Sequence, residues 1–172
     1  NFQIDTKICQ DPYARGLAGR ETFGRVSEDK DEHRIRCSFP NLREYNWEGD
    51  VSPGISYQDM ILYKVHVRGY TRQAKVAPKK RGTFAGLKEM IPYWKELGIN
   101  AVELMPAYEF MERSIVEPGK AMIRQKHHKD KVNYWGYLPG FYFAPKSAYC
   151  ATKKPHKEFC DMVRAFHEAG IE

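Results

Sequence analysis

The spacing of apolar positions changes character at Asp59 and alternates from there to the end of the chain. Met60-Ile61-Leu62-Tyr63-Lys64-Val65-His66-Val67 is a dense run of β-forming residues and predicts a strand. A polar stretch from Arg68 to Gly82 follows. Thr83 is then placed to cap a helix, accepting a bond from one of its unpaired first amides. Phe84, Leu87, Ile91 and Trp94, continued by Leu97 and Gly98, recur at helical spacing and define one apolar face. Pro92 lies within that helix and predicts a kink or an irregular first half. Gly98 can take the left-handed conformation that closes a helix. Ile99, Val102, Leu104 and Met105 form the short apolar run of a buried parallel strand, which Pro106 stops because it has no amide to donate. A second helix carries Phe159, Val163 and Phe166 on one face. It ends Ala169-Gly170-Ile171-Glu172, repeating the signal of Leu97-Gly98-Ile99-Asn100.

The order is therefore strand, helix, strand, helix and the start of a strand, the repeating unit of a parallel α/β fold. Neither strand is followed by a Gly-x-Gly-x-x-Gly or Gly-x-x-x-x-Gly-Lys phosphate loop, which argues against a nucleotide fold; a barrel is the better reading than an open sheet, although period alone does not separate the two. The second strand leads into a long connection, Ala107 to Pro155. In parallel α/β folds, ligands bind at loops leaving the C-terminal ends of strands. Residues 1–55 read differently. Asp11-Pro12-Tyr13-Ala14-Arg15 and Gly16 to Gly24 carry turn residues, Arg34 to Phe39 alternates as a half-buried antiparallel strand does, and Trp47 to Gly54 has the composition of a linker. This division predicts the C-terminal part of a β-sandwich with its linker over 1–55, and the first β/α units of a barrel over 56–172.

Composition narrows the functional classes. Aromatic residues make up 13% of the 172, which favours a site that stacks on flat ligands. The net charge of +6 is partly concentrated in Lys79-Lys80-Arg81 and in Lys126-His127-His128-Lys129-Asp130-Lys131. With no recognition motif beside them, these read as solvated loops, and nucleic acid is not an expected partner. Cys9, Cys37, Cys150 and Cys160 lack the Cys-x-x-Cys spacing of a zinc site, and the adjacent His127-His128 diverge on a loop, so no metal and no cofactor is expected. No secretory apolar core opens the chain and no run is long enough to cross a bilayer, so a membrane is not expected as a partner and a cytoplasmic protein fits. A chain that opens without methionine and stops at the start of a strand reads as part of a longer polypeptide, with the remainder as its partner.

Several words in order carry a resemblance. They are Ile61 to Tyr70 at the first strand, Gly82-Thr83-Phe84 to Gly98 at the first helix, Gly98 to Pro106 at the second strand, Asn133-Tyr134-Trp135-Gly136-Tyr137, and Phe141-Tyr142-Phe143-Ala144-Pro145. Together they resemble the start of the catalytic (β/α)8 TIM barrel of the α-amylase superfamily of glycoside hydrolases, most closely the isoamylase, pullulanase and glycogen-debranching branch. Upstream, Asp11 to Arg15 and Tyr45-Asn46-Trp47-Glu48 resemble the end of the β-sandwich that precedes that barrel. Leu138 departs from the pattern, standing where many relatives carry an acidic residue. The resemblance implies part of a retaining hydrolase of α-glucans such as glycogen and starch, cleaving α-1,6 branch points through two carboxylates. It places those carboxylates on later strands and an Asp-x-x-x-Asn-His word just beyond Glu172. No catalytic residue is therefore assigned here, and this chain alone is expected to be inactive and unstable. A branching enzyme of the same superfamily and a non-catalytic carbohydrate-binding module are the alternatives.

A sugar ring is held by aromatic faces, against which its C–H groups pack. The resemblance puts Tyr137 at the subsite where the bond breaks, so Tyr137 is the first substrate-binding candidate. Trp135 and Tyr134 are further candidates, balanced against a packing role. His66 either reaches the sugar from the first strand or is a satisfied core histidine. Asn133 reads as a turn residue, and Glu109 and Glu112 as a solvated rim.

Overall fold

The computed structural model describes residues 2–5, 7–24, 36–41, 45–112, 132–137 and 140–172. The basic stretch 126–131 with its histidine pair, Leu138, and the first two residues of the Arg34–Phe39 alternation lie outside the described residues. Two short antiparallel pairs occupy the N-terminal part: β1 (Phe2–Ile4) with β2 (Lys7–Cys9), and β3 (Leu17–Ala18) with β4 (Arg36–Cys37). The predicted antiparallel strand at 34–39 is thus present in its central residues.

The next strand, β5 (Leu62–Val65), is followed by the single-turn helix α1 (Val67–Tyr70), then α2 (Phe84–Lys88), α3 (Ile91–Glu96) and β6 (Ala101–Leu104). Strands β5 and β6 are parallel, with Leu62 opposite Ala101 and Val65 opposite Leu104. Asn100 fixes this register at the entry: its Oδ1 accepts from the Ile61 amide at 2.6 Å and its Nδ2 donates to the Asp59 carbonyl at 2.8 Å. On the other edge of β6, the Glu172 amide donates to the Asn100 carbonyl (2.9 Å) and the Val102 amide donates to the Glu172 carbonyl (2.8 Å). Such alternation is the bonding of a parallel ladder. These two bonds tie the last residues of the chain to the edge of β6.

One face of β5 and β6, with Tyr63, Val65, Val102 and Leu104, packs on the helices. Phe84, Leu87 and Trp94 are fully buried there, joined by Met162 and Phe166 from α4 (Pro155–Glu168). Each such side chain contributes roughly 1.5–3 kcal/mol of apolar burial. Thr83 caps α2 by accepting from the Gly86 amide at 3.1 Å. The predicted single helix is in fact two, α2 and α3, broken at Glu89-Met90, with Pro92 in the first turn of α3, where a missing amide costs nothing. Leu97, expected on the apolar face, is half exposed at the C-cap of α3. Gly98 and Gly170 close their helices at φ 76° and 72°. Glu158 ties α2 to α4, accepting from the amides of Ala85, Ala151 and Thr152.

Three further features differ from the expectation. The first strand is shorter than Met60–Val67, because His66 ends it and caps α1. The long connection contains an antiparallel pair, β7 (Tyr108–Phe110) with β8 (Gly140–Pro145). Residues 45–55 are fastened down: Arg164 donates to the carbonyls of Asn46 (2.9 Å) and Glu48 (3.0 Å), and Glu172 Oε1 accepts from the Gly54 amide (2.7 Å). Among the described residues, no helix is long and apolar enough to cross a membrane.

Candidate functional site

The C-terminal tips of β5 and β6 point toward the segment 132–137, and His66 joins the two. As the cap of α1 it accepts the Gly69 amide at Nδ1, 2.9 Å away. An accepting Nδ1 carries no proton, so in the neutral ring Nε2 carries it and donates to the Tyr134 carbonyl at 2.8 Å. Burial lowers the pKa of His66 below the ordinary histidine value, which favours that neutral form. Both ring nitrogens are thus committed to main-chain groups.

Tyr134 lies flat on the imidazole, with ring centres 4.3 Å apart and planes 7° from parallel. Trp135 meets Tyr134 edge-on at 5.0 Å. Beneath them is Tyr149, fully buried, its phenol pKa pushed up by desolvation. Phe23 stacks on Tyr149 at 6.0 Å and takes the Arg68 guanidinium on its face at 4.4 Å. Tyr134 is accordingly half-buried, a packing member of the corner.

The turn itself is fixed by Asn133 and Gly136. Asn133 Oδ1 accepts from the Gly136 amide (3.1 Å) while its Nδ2 donates to the Met111 carbonyl (3.2 Å). Gly136 has φ 83°, and a Cβ there would lie 2.8 Å from Pro106 Cβ, so two separate constraints demand glycine. The backbone reverses here, and the rings on either side turn outward: Trp135 is 55% and Tyr137 61% exposed. These two faces are what the corner offers to a ligand.

Glu109 and Glu112 correct the expectation of a solvated rim. Both are buried, and the equally buried Lys146 reaches Glu109 Oε2 at 3.2 Å and Glu112 Oε1 at 2.5 Å. The Ser147 amide donates to Glu109 Oε1 at 2.7 Å, and the Gly24 amide donates to Glu112. Arg20 adds a second cation, donating to the Phe110 carbonyl at 2.8 Å with its Nε 3.8 Å from Glu109. Two cations and two carboxylates cancel, which is the condition under which charges are tolerated inside a protein. Folding β8 back along β7 brings Lys146 to the acids, and no local spacing announces that return. Saturated with partners, neither carboxylate is available as an acid or base. Among the described residues, no group of three His, Cys, Asp or Glu side chains is arranged to hold a metal.

No family model matches the chain. Isoamylase 1, chloroplastic, of Arabidopsis thaliana is 32% identical over all of this chain, which spans 22% of that protein. The glycogen operon protein GlgX homolog of Haemophilus influenzae is 35% identical over 99% of the chain, which spans 26% of it. The chain thus covers only about a quarter of the curated relatives it matches. Among solved structures, the pullulanase SAP of Group B Streptococcus in complex with maltotetraose superposes on 94% of the chain with a TM-score of 0.65 at 24% identity, using 21% of its own length. At that identity the match speaks for the fold.

Proposed function

We propose that this chain, a relative of the isoamylase and glycogen-debranching branch of the α-amylase superfamily, forms the opening of the catalytic barrel of a retaining glycoside hydrolase that acts on α-1,6 branch points of glycogen or starch. Residues 56–172 supply its first β/α units and residues 1–55 the end of a preceding β-sandwich. The observation that carries this reading is the corner at the strand tips, where Trp135 and Tyr137 turn their rings outward beside parallel strands.

In this reading Tyr137 is the platform for a glucose ring, with Trp135 as a second face. C–H groups pack on such rings while hydroxyls bond at their edges. Tyr134 and His66 act one step back. His66 spends both nitrogens on the Gly69 amide and the Tyr134 carbonyl, and so holds the corner against the tip of β5. No attacking or protonating carboxylate is assigned to this chain, since the resemblance places both on later strands; Glu109 and Glu112 are bound by Lys146.

The test is digestion of glycogen by the full-length protein. Release of linear maltooligosaccharides supports debranching. Internal α-1,4 cuts alone refute it, and altered iodine staining with no new reducing ends points to a branching transferase instead. Retardation in a glycogen gel without any product points to a binding module.

A further inference from the structure

A second place on the chain gathers exposed rings, and it shares no residue with the corner. Asp11, Tyr13, Arg15, Ser38 and Phe39 surround a cavity of about 340 Å³, within the range of clefts that take small ligands. Its walls are built locally. On one side the Asp11 carboxylate accepts the Tyr13 amide (2.9 Å) and the Asp11 carbonyl accepts the Ala14 amide (3.1 Å). This turn buries Ala14 and leaves the Tyr13 ring 71% exposed. On the other side the Ser38 amide donates to the Gly16 carbonyl at 2.8 Å, extending the pairing of β3 with β4. A Cβ at Gly16 would meet Ser38 Oγ, so the glycine lets the two walls approach. Phe39 follows, 92% exposed and touching no other ring among the described residues. Beneath, Ala14 and Leu17 pack on Phe141 and Ala144 of β8. Phe143 of β8 stacks on Tyr13, with centres 5.6 Å apart and planes at 29°. His156 Nε2 donates to the Arg15 carbonyl, tying the wall to the first turn of α4. The cleft is therefore shaped from three directions before any ligand arrives.

Packing makes no use of these rings. One exposed ring needs no explanation, but Tyr13, Phe143 and Phe39 gathered at one cleft form the kind of patch that marks a binding site. The lining also sets the chemistry of the occupant. Ring faces take the C–H groups of a sugar. The Arg15 guanidinium has no hydrogen bond or ion pair among the described residues. Its donors, with the Ser38 hydroxyl and the Asp11 carboxylate, suit a ligand rich in hydroxyl groups. A wholly apolar occupant would instead shut these groups away from water without partners, which is unfavourable. We propose that the cleft between Tyr13 and Phe39 is a second α-glucan site, separate from the corner at the strand tips; this rests on the reading of the whole protein as one that acts on glycogen or starch. A branched polymer touching both places is held by both, because the second contact is then intramolecular. A short oligosaccharide that reaches only the corner gains nothing from the cleft.

The experiment compares retardation of the full-length protein in glycogen affinity gels with its turnover of a short branched maltooligosaccharide. The variants are Phe39→Ala, Tyr13→Ala, Arg15→Met and Tyr137→Ala, with Tm as a control. Phe39→Ala and Tyr13→Ala are each expected to weaken glycogen binding about fivefold, the worth of one ring contact, and to leave turnover of the short substrate unchanged. Arg15→Met is expected to weaken glycogen binding about twofold, the loss of one modest hydrogen bond. Tyr137→Ala is expected to impair both measurements. If Tyr13→Ala lowers Tm by removing the partner of Phe143, Phe39→Ala decides, since its ring touches no other. Full glycogen affinity in Phe39→Ala overturns the second site and leaves the corner standing. Equal losses on glycogen and on the short substrate also overturn it, since the cleft would then belong to the corner's own site. Hydroxyl-radical footprinting of the free protein should label Tyr13 and Phe39, and glycogen should protect them. Protection without glycogen overturns the proposal, because another part of the protein or a second copy then fills the cleft. Retardation that depends on Phe39 but comes without cleavage supports the cleft and removes only the hydrolase. A wild-type protein that is neither retarded by glycogen nor cleaves it overturns both.

Discussion

At Glu109, Glu112 and Lys146 the connection after β6 takes three charges out of water; at Trp135 and Tyr137 the same connection leaves two aromatic rings in it. Composition alone suggests the reverse, with charges solvated and rings packed. The two neighbourhoods reach their inverted states by different physics. Charges enter because they enter as a neutral set with Arg20, each carboxylate bonded to a cation and to a backbone amide. The rings stay out because Gly136 reverses the chain at φ 83°, while Tyr134, stacked on His66, fills the space inside. One neighbourhood ties Glu109 and Glu112 to Lys146 at the end of β8, and the other presents ring faces.

The comparison breaks first at Lys146. Replacing it with methionine strands two buried carboxylates, and stability should fall by about 3–5 kcal/mol, the usual result of unpairing a buried charge. Thermal unfolding of the full-length protein measures this, and Glu109→Gln in the same background should recover part of the loss. An unchanged Tm would mean the acids are solvated after all. Gly136→Ala should come next, at about 1–3 kcal/mol, since alanine resists this φ and its methyl meets Phe110 and Pro106. Maltotetraose affinity should fall with it as the flanking rings are displaced.

Tyr137→Ala and Trp135→Ala should separate the two neighbourhoods cleanly. Each should leave stability within about 0.5 kcal/mol, as expected for exposed positions, yet reduce retardation in a glycogen affinity gel. A large Tm loss with unchanged retardation would make these rings packing residues. The smallest effect is one of pH. His66 is depressed in the folded chain, whereas its unfolded pKa is about 6.5. Between the two values the unfolded state holds more protons, so stability rises with pH there. The contribution of His66 is therefore whole above about pH 6.5 and declines as pH falls toward the folded value. Denaturant midpoints across that range, with the ring followed by NMR, check both sign and residue. A ring titrating above 6.5 would contradict the accepting Nδ1.

The alternation of strand and helix was legible because local rules governed it. Thr83 caps, Gly98 and Gly170 close, and Pro106 stops, each through its own backbone. The buried face of Phe84, Leu87 and Trp94 followed from helical spacing. Where distant residues intervene, local rules lapsed. His66 sat in an apolar run and read as strand, but Gly69 and Tyr134 offered both its nitrogens partners, and the strand ended there. Glu109 and Glu112 read as a rim because Lys146, more than thirty residues along the chain from either, is silent until β8 returns beside β7.

What the sequence determined by itself is the β-α-β order, its parallel sense and the aromatic wealth of the corner, since these depend on periodicity, capping and turn chemistry within a few residues. Tertiary structure alone decided which rings face water, which acids are neutralised and that Lys64 meets Glu103. The physical reason is range: a dihedral preference acts on its own residue, whereas burial and charge pairing depend on whatever the folded chain brings alongside.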